Sequence, residues 1–89
     1  MRAVITVTGK DKVGILARVS TICAKYNANV IEVSQTVLQD MFAMIMLVDI
    51  EQLSCQLAEL ADNMKQDGEA NGLVIHVMHE DIFKSMHRI

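Results

Sequence analysis

From Met41 to Val48 every residue is apolar, a run that has the length of a strand and falls far short of a membrane span. Side chains alternate along a strand, so Met41, Ala43, Ile45 and Leu47 point one way and Phe42, Met44, Met46 and Val48 the other. Both faces are apolar, and both require cover. Such a strand belongs in the middle of a sheet, with helices on one side and something else on the other. At 89 residues the chain is long enough for one domain, 1–89, and too short for two. All remaining elements must therefore pack around this strand.

They follow in a legible order. Ala3 to Thr8 alternates in β-branched residues and stops at Gly9, which predicts a first strand. Ile15, Leu16, Val19, Ile22, Cys23 and Tyr26 then recur at three and four residues, the spacing of one helix face, over about Val13 to Tyr26. Asn27, Ala28 and Asn29 end that helix, since Asn tolerates the left-handed conformation that a helix C-terminus uses. From Val30 to Leu38 a second strand sets Ile31, Val33, Gln35 and Val37 against Val30, Glu32, Ser34 and Thr36. Gln39 and Asp40 make a tight hairpin into Met41 to Ile50, without the usual glycine. Leu53, Leu57, Leu60, Ala61 and Met64 mark a second amphipathic helix, with Gly68 as its expected left-handed cap. Leu73 to His79 is a last strand, and the tail from Glu80 has room for one or two helical turns.

Strand, helix, strand, strand, helix, strand is the split β-α-β plan, the ferredoxin-like βαββαβ arrangement of the α+β class. Right-handed crossovers fold it into a four-stranded antiparallel sheet with two helices on one face, strands one and three central and two and four at the edges. Apolar residues form 52% of the chain, and so small a domain buries only roughly 60% of its unfolded surface. A homodimer or larger homo-oligomer is therefore expected to cover part of that apolar surface.

Charge narrows the function. The net charge is −3, with no basic run longer than two residues, which argues against nucleic acid as a partner. The start of the chain lacks the pattern of a signal peptide, and Cys23 and Cys55 match no disulfide framework or zinc spacing. A soluble cytoplasmic protein with packed, reduced thiols is expected, without membrane association. His76 and His79 are three apart and on a strand face opposite ways, so with the late His87 they make a poor metal set. No cofactor is expected. The seven methionines read as core and interface filler. Catalysis would need a nucleophile with a base, or paired carboxylates, converging on a pocket, and only Asp11 stands where a pocket is expected; the chain reads as a binding protein, not an enzyme.

The segment TGKDKVGI, Thr8 to Ile15, joins the C-terminal end of a central strand to the N-terminus of a helix. Such a junction offers free N–H donors and the positive end of the helix dipole, which suits a carboxylate or other small anion. Gly14 permits close approach and Asp11 can accept from an ammonium group, a pairing that suits an amino acid. The plain alternative is a connecting turn with Asp11 as a helix cap.

In this region the chain resembles the ACT domains, regulatory modules attached to amino-acid-metabolising enzymes and also found free-standing. The resemblance is carried by the strand Val4 to Thr8, by Gly9, Asp11, Gly14, Ile15, Leu16 and Val19, and by Asn27, Ala28, Asn29, Val30 and Ile31. Gln35, Thr36, Phe42 and Met44 are similar to the short free-standing members, such as the regulator of the glycine cleavage system. From Gln52 onward only the element order matches. The resemblance implies a ligand site where Asp11, Lys12, Gly14, Ile15 and Leu16 of one subunit face Asn29 and Val30 of a neighbour. The implied ligand is a small molecule of the amino-acid class, acting as an allosteric effector. These residues are not expected to include a catalytic or DNA-binding domain for an effector to regulate, so a partner in trans or a change in self-association is expected to carry the signal. The competing expectation is a ligand-free module that uses its sheet edge and third strand only to bind another protein.

Overall fold

The computed structural model describes residues 1–10 and 13–86. Asp11, Lys12 and His87, singled out above, lie outside the described residues. Within them the order is β1 (Arg2–Gly9), α1 (Ile15–Lys25), β2 (Asn29–Leu38), β3 (Met41–Asp49), α2 (Leu57–Ala70), β4 (Leu73–His79) and α3 (Glu80–Met86). The strands form one antiparallel sheet in the order β2-β3-β1-β4, the ferredoxin-like topology expected from the element order.

One face of the sheet carries the core. Ala3, Ile5 and Val7 of β1, Phe42, Met44, Met46 and Val48 of β3, and Leu73 and Ile75 of β4 pack against Ile15, Val19 and Cys23 of α1 and Leu60 and Met64 of α2. These helix residues repeat at three and four positions, so each helix presents one apolar stripe to the strands. Arg18 of α1 and Asp67 of α2 join the two helices through a 3.1 Å ion pair at the surface.

The two helices end differently. At the end of α1, Ala28 N–H donates to the Cys23 carbonyl at 2.8 Å and Asn27 N–H to that of Ala24 at 3.2 Å. With Asn27 at φ 61°, this is a Schellman cap built on asparagine, as the Asn-Ala-Asn sequence predicts. For α2 the expectation fails. Gly68 is not the cap: it lies inside the helix and is buried against β4. A Cβ there would stand 2.9 Å from the Leu73 carbonyl oxygen and 3.0 Å from Ile75 Cγ1, so the glycine serves close helix-to-strand approach. The left-handed residue is Gly72, at φ 73°, in the turn that follows.

Strand β2 also departs from simple alternation. Val30 pairs with Val48 but Glu32 pairs with Leu47, so Ile31 is an extra residue in a bulge. The shift puts Val30 on the helix side together with Val33, Gln35 and Val37, and Glu32, Ser34, Thr36 and Leu38 on the other. The helices do not reach over the distal part of this edge strand, and Val33 and Val37 remain exposed. The hairpin turn is made as expected at Gln39 and Asp40, with Gln39 at φ 57° where glycine would fit without strain.

The central position of β3 is as its sequence requires, yet the single chain covers only one of its faces. Phe42, Met44, Met46 and Val48 are buried, whereas Met41 is 52% and Ile45 46% exposed. The second helix also starts later than the leucine spacing implies, because Leu53 N–H bonds the Ile50 carbonyl in a turn and Ser54 N–H is held by the Tyr26 carbonyl.

Candidate functional site

The β1–α1 junction is built around a backbone feature. Gly14 occupies the N-cap position of α1 at φ 73°, ψ 3°, and an added Cβ would meet nothing within 4 Å. The first helical bond runs from Arg18 N–H to the Gly14 carbonyl at 3.0 Å, so the N–H groups of Ile15, Leu16 and Ala17 precede any intrahelical acceptor. Among the described residues no side chain caps this end, and the first turn holds no acidic residue to offset the helix dipole. The arrangement leaves a donor-rich, electropositive helix end beside an open left-handed turn. It can accept a small anion.

Two depressions flank the turn. A small one of about 140 Å³ is lined by Val13, Ile15, Arg18, Asn71 and Leu73. A larger cleft of about 460 Å³ opens past the end of β1, between Thr8, Gly9 and Lys10, Met41, and the Asn71–Val74 segment. Its lining is apolar at Met41, Leu73 and Val74 and includes the polar residues Thr8, Lys10 and Asn71. A Cβ at Gly9 would stand 2.5 Å from Leu73 Cδ2, so a larger residue there would displace the Leu73 side chain. Sequence reasoning did not bring Asn71, Gly72, Leu73 or Val74 to this site. The signal was the Asn71-Gly72 turn pair together with the antiparallel β1–β4 pairing, which sets Leu73 opposite Gly9.

The sequence-predicted residues divide into two groups. Gly14, Ile15 and Leu16 stand at the start of α1, and Asn29 and Val30 stand just past its end, an 11-residue helix of about 16 Å away. One chain does not bring the two groups together. The Ile15 side chain is buried in the core, so its available group is the backbone N–H, while Leu16 is partly exposed on the outer side of the helix. Val30 is half-buried against the core, and Asn29 is exposed beside a depression of about 350 Å³ lined by Ala24, Asn27, Ala28, Asn29 and Gln52.

Other candidate chemistry is dispersed. His76 faces the open side of the sheet opposite Thr6, whereas His79, opposite Ala3, accepts the Asp81 N–H at 3.1 Å. Among the described residues no group of three or more His, Cys, Asp or Glu side chains is placed to hold a metal ion. Cys23 is buried and burial pushes its thiol up to about 11; burial and the nearby Glu59 charge also raise Cys55, which is more accessible. Among the described residues no helix is long and apolar enough to cross a membrane.

Residues 2–78 match the sequence description of the ACT domain. The chain belongs to the ACT-domain family. ACT domains are regulatory ligand-binding modules, and this one extends over nearly the whole chain. A UPF0237 protein of Clostridium perfringens is 49% identical over 89 residues and covers 100% of both chains. An ACT domain protein from Streptococcus pneumoniae superposes with a TM-score of 0.82 at 34% identity, covering 94% of each chain. A putative glycine cleavage system transcriptional repressor shares the fold, with a TM-score of 0.67 at 19% identity over 85% of this chain and 43% of that one. The ACT topology places the β1–α1 turn at one end of the sheet, next to the α2–β4 turn, and both turns pivot on left-handed glycines.

Proposed function

We propose that this ACT domain is a sensor for an amino acid or similar small metabolite, whose charged end is held by the β1–α1 turn. Asp11, Lys12 and Gly14, with the N–H groups of Ile15 and Leu16, bind the charged groups, and the partner's Asn29 and Val30 close the site across a subunit boundary. The observation that carries this reading is the open turn at Gly14 over a helix N-terminus that no described side chain caps. The separation of the two residue groups within one chain, about 16 Å along the 11-residue helix, is the reason a second subunit is invoked. A homo-oligomer is thus part of the mechanism. The ligand binds one assembled arrangement better than another, and the resulting shift in self-association, or in affinity for a protein partner, is the output. The acidic composition and two unpaired cysteines suit action in the cytoplasm. The chain acts by binding, as regulatory domains do, rather than by catalysis.

A ligand-free interaction module is the competing reading, favoured by the exposed apolar residues Val33 and Val37 of the edge strand β2. A thermal-shift screen against the twenty amino acids and common metabolite anions separates the two. A ligand at 100 times its Kd raises stability by about 2.7 kcal/mol, easily seen in a domain of this size. The sensor reading expects a hit that is lost in Gly14→Leu with assembly preserved; no hit across the set would favour the interaction module.

A further inference from the structure

The side of the sheet away from α1 and α2 is closed at one end and indented at the other. At the closed end Arg2 pairs with Glu80 at the start of α3, and Val4 is buried although it lies outside the helix-side core. At the far end lies the cleft of about 460 Å³. Its wall is built by strand register. Thr8 stands opposite Val74 on one side and Ala43 on the other, while the next row, Gly9 with Leu73 and Phe42, turns Leu73 and Phe42 into the core. Side chains alternate along a strand, so Thr8 and Val74 face away from the helices, as does Met41 beside the buried Phe42. The main wall of the cleft is thus across the sheet from the N-terminus of α1.

We propose that this cleft is a second binding site, for an organic monocarboxylate with an aliphatic tail: the carboxylate on the Lys10 ammonium and the Thr8 hydroxyl, the tail along Met41, Leu73 and Val74. Two observations select this ligand. The first is shape and polarity. Met41 is 52% and Val74 54% exposed, and they sit on β3 and β4 with β1 between, about 10 Å apart at two strand spacings. The small Thr8 side chain between them leaves a trough, and a volume of about 460 Å³ falls within the ~300–1,000 Å³ of small-molecule sites. An alkyl chain laid there takes apolar surface of both side chains out of water. The second observation is charge. Lys10 is the one ionisable side chain in the lining, and it forms no ion pair among the described residues, in a chain of net charge −3. Asn71 is already committed, its side-chain N–H donating to the Asp67 carbonyl at 2.7 Å. The lining holds no carboxylate to receive an ammonium group, so the cleft selects an anion without a positive charge, unlike the zwitterion assigned to the Gly14 turn. The two sites share no residue. The proposal therefore does not rest on the sensor reading.

The test is an amide NMR titration with three probes: octanoate, butanoate and octylammonium. Octanoate is expected to shift the amides of Lys10, Met41, Gly72 and Val74. Each buried methylene strengthens binding by about fourfold, so butanoate, whose tail is four methylenes shorter, should bind at least about tenfold more weakly even with partial burial. Octylammonium has the same tail and the wrong charge, and should bind at least about fivefold more weakly than octanoate. Two variants at exposed positions separate the head from the tail. Lys10→Gln should weaken octanoate about fivefold and keep the chain-length dependence, and Val74→Asp should remove the shifts at Met41 and position 74. Should Val74→Asp disturb the fold, Lys10→Gln still decides. Equal affinity for octanoate and octylammonium, an unchanged affinity in Lys10→Gln, or octanoate shifts at Gly14 and Asn29 in place of the cleft would each overturn the proposal. An amino-acid response at the Gly14 turn stands or falls separately, since none of these probes carries both charges.

Discussion

The two faces of β3 have nearly the same composition and opposite fates. Phe42, Met44, Met46 and Val48 meet α1 and α2 and are buried; Met41, Ala43, Ile45 and Leu47 look away from the helices, and Met41 and Ile45 stay about half exposed. An apolar pattern thus states that a face needs cover, and says nothing about which molecule provides it. On one face the chain supplies its own helices. On the other it supplies only the short α3 at a corner, and the remainder stays open in the single chain.

That contrast predicts unequal costs. Met46→Ala, fully buried, should lower stability by about 2–5 kcal/mol at any protein concentration, whereas Ile45→Ala should cost less than about 1 kcal/mol in dilute solution. Denaturant titration of both variants at two concentrations is the check, and equal losses would erase the distinction between the faces.

The two cysteines extend the comparison to pH. Burial pushes the Cys23 thiol up to about 11 from an ordinary value of 9.0, so the unfolded chain releases this proton first. Its contribution is fully present below pH 9 and is lost as pH rises toward 11, a fall on the order of 2–3 kcal/mol that Cys23→Ala should remove. Chemical denaturation between pH 8 and about 11 measures it. Alkylation should correspondingly reach Cys55 well before Cys23.

Two glycines sharpen the same point. Gly68 is packed against β4, and Gly68→Ala drives a methyl into the Leu73 carbonyl and Ile75, for an expected loss of about 1–3 kcal/mol. Gly14 has open space but a left-handed backbone, so Gly14→Ala should cost only about 1 kcal/mol, and Gly14→Asn less. Thermal melts of the three variants rank them. The smallest effect is expected in the hairpin, where Gln39→Gly relieves a positive φ and loosens the unfolded chain, for a net gain of at most about 1 kcal/mol.

Periodicity made the elements, their order and the central place of β3 readable from sequence, because alternation and helical spacing report burial directly. Where one residue broke the period, the reading slipped. The bulge at Ile31 reverses the side-chain direction of Val30, and nothing in Val30-Ile31-Glu32-Val33 signals the extra residue. Gly68 and Gly72 stand four apart, both near the end of α2, and only the packing of the helix on β4 decides which one is the cap. For the site, the TGKDKVGI segment pointed to the turn and its helix end. The Asn71–Val74 wall was not legible, since it reaches the turn only through strand pairing between the two ends of the chain.

The most direct test of the sensing account is a ¹⁵N–¹H NMR titration of the protein with whichever amino acid or metabolite the screen selects. The account predicts shifts concentrated at the amides of Gly14, Ile15 and Leu16 together with Asn29 and Val30, the two ends of α1 responding at one ligand concentration because they meet across subunits. Shifts confined to Thr8, Met41 and Val74 in the neighbouring cleft, or a response at Gly14 with none at Asn29, would contradict it.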